Sequence, residues 1–142
     1  MGSFSDTPAL IAGGTIRPFR FIAASTSADD TGVEVSVATA DEVIVGVSDG
    51  STNGPTSANH AVTGEPISLQ GGDVVLVQCG TANLPTRGEL VQANNDGTAR
   101  VAVQTAGPKR RYQGYVALQN GVSGGIIRIQ KVGGFIYYPT TL

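Results

Sequence analysis

Residues 99–130, ARVAVQTAGPKRRYQGYVALQNGVSGGIIRIQ, alternate apolar and polar side chains in three separate places. Val101 and Val103 alternate with Arg100, Ala102 and Gln104; Tyr115, Ala117 and Gln119 with Val116 and Leu118; Ile127 and Ile129 with Ile126, Arg128 and Gln130. A period of two places successive side chains on opposite faces of an extended strand. The stretch therefore predicts a three-strand meander, reversed at GPKRR and at QNGVSGG, where Gly, Pro and Asn supply turn geometry.

The same period recurs upstream. Residues 33–38 read as a half-buried strand with Val33, Val35 and Val37 inward, and residues 43–47 as another. Residues 65–70 and 74–79 read as two strands around a Gly-Gly-Asp turn. Residues 90–93 and 98–103 form a predicted hairpin, because Asp96-Gly97 supplies the positive φ angles of a tight turn. In residues 15–22, Pro18 removes a ladder donor and predicts an edge strand or a bulge. Residues 135–138, FIYY, read as a last strand or as a tail that packs on another subunit.

One pattern occurs twice. Val35, Val37, Thr39 and Ala40 match Val101, Val103, Thr105 and Ala106, and each set leads to a glycine inside an apolar strand, Gly46 and Gly114. This is the signature of two related strand-turn-strand units, or of the small alphabet from which short strands are drawn.

Composition narrows the fold class. The 142 residues include 20 Gly and 7 Pro, which interrupt nearly every window long enough for a helix. The reading is all-β: a small β-barrel or β-sandwich of short antiparallel strands, one domain over residues 15–142, preceded by an extended N-terminal arm over residues 1–14. The arm carries Phe4 and an apolar knot at Ala9, Leu10 and Ile11. A domain of this length buries enough apolar surface to fold without staples.

The net charge of −2 conceals a split. Every acidic residue precedes Gly97, and after it come Arg100, Lys109, Arg110, Arg111, Arg128 and Lys131 with no acid. Such asymmetry points either to an electrostatic partner or to opposite charges meeting across interleaved strands.

Candidate chemistry is sparse. Cys79 is the only cysteine, which excludes an intrachain disulfide and reads as a buried structural thiol. One His and one Cys cannot make the usual zinc sets, Asp29-Asp30 and Asp41-Glu42 lack the spacing of a calcium loop, and no Gly-rich loop opens a helix. No metal or cofactor is expected. GVSDG at 46–50 and GVSGG at 121–125 fit G-x-S-x-G, but neither precedes a helix, His60 follows Ser48 too closely, and no acid or His follows Ser123. No enzyme and no catalytic residue is expected. The sequence has no membrane-length apolar window, no signal-peptide pattern and no Trp for a base-stacking platform, so neither membrane nor direct nucleic-acid binding is expected.

The order GTIRPFRFIAAS, VEVSVATA, VIVGVSDG, GGDVVLVQCG, GELVQANNDGTARVAV and GYVALQNGVSGGIIRIQ, over residues 14–132, resembles the capsid cement, or head decoration, proteins of tailed bacteriophages. The resemblance rests on the Gly-Val-Ser and Gly-Tyr-Val-Ala-Leu strands, the Asn-Asp-Gly turn and the closing Ile-Arg-Ile-Gln strand. It implies a virion protein made in the host cytoplasm, a homotrimer on the outer capsid surface whose partners are the major capsid protein and its own copies. The contact residues would then be Phe4, Ala9, Leu10 and Ile11 in the arm, Lys109, Arg110 and Arg111 in the basic turn, and Phe135, Tyr137 and Tyr138 near the C-terminus. The alternative is a β-sandwich binding module for a glycan or cell-surface partner, with residues 49–58 and FIYY as its site.

Overall fold

The computed structural model describes residues 10–24, 33–38, 44–102, 110–111, 114–132 and 136–137, with the side chains of 33–36, 110–111 and 136–137 excepted. Among these residues there is no helix. Twelve strands run β1 (Leu10–Ala12), β2 (Phe21–Ala24), β3 (Val33–Val37), β4 (Ile44–Val47), β5 (Pro66–Ile67), β6 (Val74–Gln78), β7 (Leu90–Ala93), β8 (Ala99–Val101), β9 (Arg110–Arg111), β10 (Tyr115–Ala117), β11 (Ile126–Lys131) and β12 (Ile136–Tyr137). They form a five-stranded sheet ordered β4-β2-β3-β1-β5, a second ordered β6-β11-β10-β7-β8, and a two-stranded ribbon of β12 and β9.

The two large sheets share a core. Phe21, Ala23, Ala38 and Val47 of the first meet Val75, Val77, Val91, Tyr115, Ile127 and Ile129 of the second, with the Phe21 and Tyr115 ring centroids 5.5 Å apart. A separate cluster of Ala12, Ile16, Ile22, Ala61 and Ile67 fills the other face of the first sheet. Strand β2 is thus covered on both faces, which explains why Phe21, Ile22 and Ala23 are all apolar instead of alternating.

The edges of each sheet approach one another through a single bridge, Ser48 to Leu69 in the first and Cys79 to Ala99 in the second. One bridge does not continue a ladder, so the fold is sandwich-like and not a closed barrel. Most pairings are antiparallel, as expected, but β1 runs parallel to β3.

The repeated pattern in the sequence reaches much further in the fold. In the first sheet β2 pairs antiparallel with β3 and β4; in the second β7 pairs antiparallel with β8 and β10. The parallel pair β1/β3 has its counterpart in the parallel bridge from Cys79 to Ala99, and β1/β5 has its counterpart in β6/β11. The registers also agree: Ile22 opposite Gly46 answers Val91 opposite Tyr115, Leu10 opposite Ile67 answers Val77 opposite Ile127, and Ser48 opposite Leu69 answers Ala117 opposite Ile129. One assignment of equivalent residues satisfies all these rungs, so the chain contains two five-stranded units of the same topology. The ladders match Val35 with Ala99 and Gly46 with Tyr115, not with Val101 and Gly114. The first difference is a slip of two residues, to which a period-two pattern is blind, and the second is a slip of one.

Four other expectations are corrected. Strand β1 lies inside the first sheet, with Ala12 1% exposed, so the boundary of an arm at residue 14 falls within the domain; residues 1–9 lie outside the described residues. The meander is interrupted, because β7 sits between β8 and β10. The segments flanking Gly71-Gly72-Asp73 are not a hairpin: β5 joins the first sheet and β6 the second. Arg110 and Arg111 are not in a turn but in a strand, β9, paired with β12. In the second and third cases local alternation marked the strands correctly, and the partner was chosen by a face that had to be buried elsewhere.

Candidate interaction surfaces

The contact residues read from the sequence divide three ways. Leu10 and Ile11 are half-buried in β1 and committed to ladders with β3 and β5, because the apolar knot fills the first sheet. Arg110 and Arg111 are brought opposite Tyr137 and Ile136 respectively, so the basic and aromatic segments form one ribbon. Phe4, Ala9, Lys109, Phe135 and Tyr138 lie outside the described residues.

A polar cleft of about 430 Å³ lies beside the β7–β8 turn, lined by Gly80, Thr81, Asn83, Asn94, Asp96 and Thr98 among others. Gly97 makes the turn possible: its φ is +79°, and its carbonyl accepts from the Phe21 amide at 2.8 Å, tying the turn to the first sheet. Arg20 adds a second tie, donating to the Asp96 carbonyl at 3.0 Å and to Gln78 Oε1 at 3.3 Å, with the Asp96 carboxylate 3.7 Å away. Burial pushes the Asp96 carboxyl up, but the Thr98 hydroxyl and amide and the Arg20 charge outweigh it and hold it below its ordinary value.

The residues of the GVSDG motif are committed to structure. Ser48 is fully buried; its hydroxyl donates to the Arg17 carbonyl at 2.8 Å and accepts from the Arg20 amide at 3.0 Å. His60 is 6% exposed, with Nε2 accepting from the Ser68 amide at 3.0 Å and Nδ1 2.8 Å from the Ser51 carbonyl. That arrangement places the imidazole proton on Nδ1, 3.4 Å from Asp49. The histidine joins the loop over residues 49–61 to the start of the β5 extension.

Among the described residues the acidic and basic parts of the chain form no ion pair with each other across strands. Among them Arg20 pairs with Asp96, both before Gly97. Arg100 and Arg128 of the second sheet have no ion pair among the described residues. They lie on its outward face, since burial alternates along β11 and places Ile127 and Ile129 inside, Ile126 and Arg128 outside, while Arg100 pairs with Gln92 in the row next to inward Val91 and Val101. Beside them Val74, Leu76 and Ile126 are 51%, 38% and 48% exposed. Val74, Gln130, Val116 and Leu90 make a row across four strands of that face.

The fold has a counterpart among solved structures. It is similar to the N base of head fiber gp8.5 from bacteriophage phi29. The TM-score is 0.61 at 16% sequence identity, and the match covers 89% of this chain and 96% of that one. No protein-family model matches the chain, and no curated protein matches it at a significant level.

Sequence reasoning missed the outward face of the second sheet. Its signal was present: VVLV at 74–77 and II at 126–127 are apolar at consecutive positions, where a strand with one solvated face alternates. Arg100 and Arg128 were noted for their charge, but only the sheet order places them on one face.

Proposed function

We propose that this chain is a structural protein of a phage virion, carried on the outside of the head, where three linked copies bind neighbouring major capsid protein subunits and reinforce the shell. The observation that carries this reading is the likeness of fold to a phage head fiber base over nearly the whole of both chains. The sequence resemblance to head decoration proteins supports the same setting. Binding the assembled shell and not its free subunits converts binding free energy into shell stability, and linked copies add avidity that one copy lacks. On this reading the chain performs no catalysis and needs no cofactor.

The test uses purified heads that lack this protein. Full-length protein added to them should co-sediment with the heads and appear as outward density at repeated positions, and the decorated heads should release packaged DNA at a higher temperature than bare ones. Equal release temperatures would remove the reinforcing role; no co-sedimentation would remove the reading itself. Sedimentation equilibrium checks the copy number, with a trimer expected in solution or on the particle and a stable dimer in both counting against it.

A further inference from the structure

Both edges of the second sheet are already occupied. On β6 the side-chain amide of Gln70 takes the place of a neighbouring strand, accepting from the Leu76 amide at 2.9 Å and donating to its carbonyl at 2.6 Å, and the Gln78 amide donates to the Phe19 carbonyl at 2.9 Å. On β8 the Val101 amide donates to the Asn83 carbonyl at 2.8 Å and the Ala99 carbonyl accepts from Gly80 at 3.1 Å. Strand addition, which needs a free row of backbone groups, has no place to start.

The outward face of this sheet is in the opposite condition. The two units of the fold show what such a face does. Phe21 and Val47 in the first unit are the register equivalents of Leu90 and Val116 in the second. In the first unit these positions are buried to 1% exposure or less beneath the second sheet. Among the described residues no further sheet covers the equivalent row in the second unit, which Gln130 and Val74 continue and beside which Leu76 lies opposite Arg128, although a terminal unit in a repeated fold ordinarily turns a polar face outward. Arg100 and Arg128 stand on the same face, and no carboxylate among the described residues pairs with either.

We propose that the outward face of the second sheet, centred on Leu76, Ile126, Val116 and Arg128, is a docking surface for another protein whose complementary surface is apolar and carries carboxylates for Arg100 and Arg128. It makes contact face-on, by side chains, because the edges are closed. The inference rests on the proposed function for the identity of the partner, the outer surface of the phage shell. A second copy of this chain docking by the same face is disfavoured, since it would bring the arginines of two copies together.

The experiment compares full-length Leu76→Asp/Ile126→Asp, Arg128→Glu and, on an exposed apolar position of the first sheet, Val45→Asp, for binding to heads that lack the protein. All four positions are solvent-exposed, and each variant's melting temperature is measured beside its binding. The expected result is at least a tenfold loss of head binding for Leu76→Asp/Ile126→Asp with an unchanged melting temperature, a loss for Arg128→Glu that shrinks as salt rises, and wild-type binding for Val45→Asp. Three results would overturn the inference. The first is wild-type binding by Leu76→Asp/Ile126→Asp and Arg128→Glu while the unmodified protein binds, which leaves the proposed function standing. The second is an unmodified protein that does not bind heads, which takes the function with it. The third is an unmodified protein that self-associates and becomes monomeric in Leu76→Asp/Ile126→Asp, which makes a second copy the occupant.

Discussion

At Gly97 two constraints coincide, and both disfavour a side chain. The residue has a φ of +79°, and a Cβ there would stand 2.4 Å from Val37 Cγ1 and 3.0 Å from the Phe21 carbonyl oxygen. Gly97→Ala is expected to cost at least about 2 kcal/mol, combining left-handed strain with overpacking between the sheets. Gly114→Ala, with nothing within 4 Å of the added atom, should be within about 1 kcal/mol of wild type; urea titration of the two variants checks the contrast. Next to Gly97, Asp96 gives a pH signature. Its carboxyl is held below the ordinary value by Thr98 and Arg20 despite the opposing effect of burial. A depressed carboxylate stabilises the fold above the unfolded value, near pH 4, and that contribution is lost as pH falls through the folded value. Asp96→Asn should therefore melt below wild type at pH 7, with the gap closing as the pH is lowered below about 4; a gap that persists at low pH would assign the loss to geometry.

At the scale of elements, β1 shows how much an N-terminal segment can carry. The apolar knot at Leu10 and Ile11 reads as a docking arm because nothing adjacent in sequence can cover it. In the fold it pairs with β3 on one side and β5 on the other, and Ala12 enters the core. Deleting residues 1–13 should cost about 3 kcal/mol or more, from lost ladder bonds and a cavity, whereas deleting residues 1–9 leaves β1 and should leave the melting temperature within a few degrees of full length. Thermal melts of the two truncations decide it. Only the shorter deletion can then test an arm's part in head binding. The β7–β8 hairpin is the reverse case: Asn-Asp-Gly between two apolar runs carries its own turn chemistry, so the pairing was legible from local sequence. The connection at Gly71-Gly72-Asp73 was not, since a turn signal states that the chain bends and not which sheet it enters.

At the scale of the whole molecule, two units of one topology share a core, and the first adds a cluster of its own at Ala12, Ile16, Ile22, Ala61 and Ile67. Phe21, Ala23 and Val47 are covered by the second sheet, and the Arg20 contacts to Asp96 and Gln78 run between the units. Fragments 1–72 and 73–142 should therefore give no cooperative melt alone at micromolar concentration, while the full chain gives one transition, as read by circular dichroism. An independently cooperative melt of either fragment would show that the shared core is dispensable. The units differ in one respect: the first has its outer face covered by its sister, while the equivalent side of the second carries the exposed Val74, Leu76 and Ile126.

The sequence alone determined that the fold is all-β and where most of the described strands lie. These follow from period two, from Gly and Pro spacing and from residue inventory, which are local properties or simple counts. Strand order, the parallel pair β1/β3, the true register of the repeat, and the placing of Arg110 and Arg111 beside β12 were decided only in three dimensions. So was the outward face of the second sheet. Short strands rich in Val, Ala and Ile can pair with many others at similar energy, and the choice among partners is made by which faces the two sheets bury together.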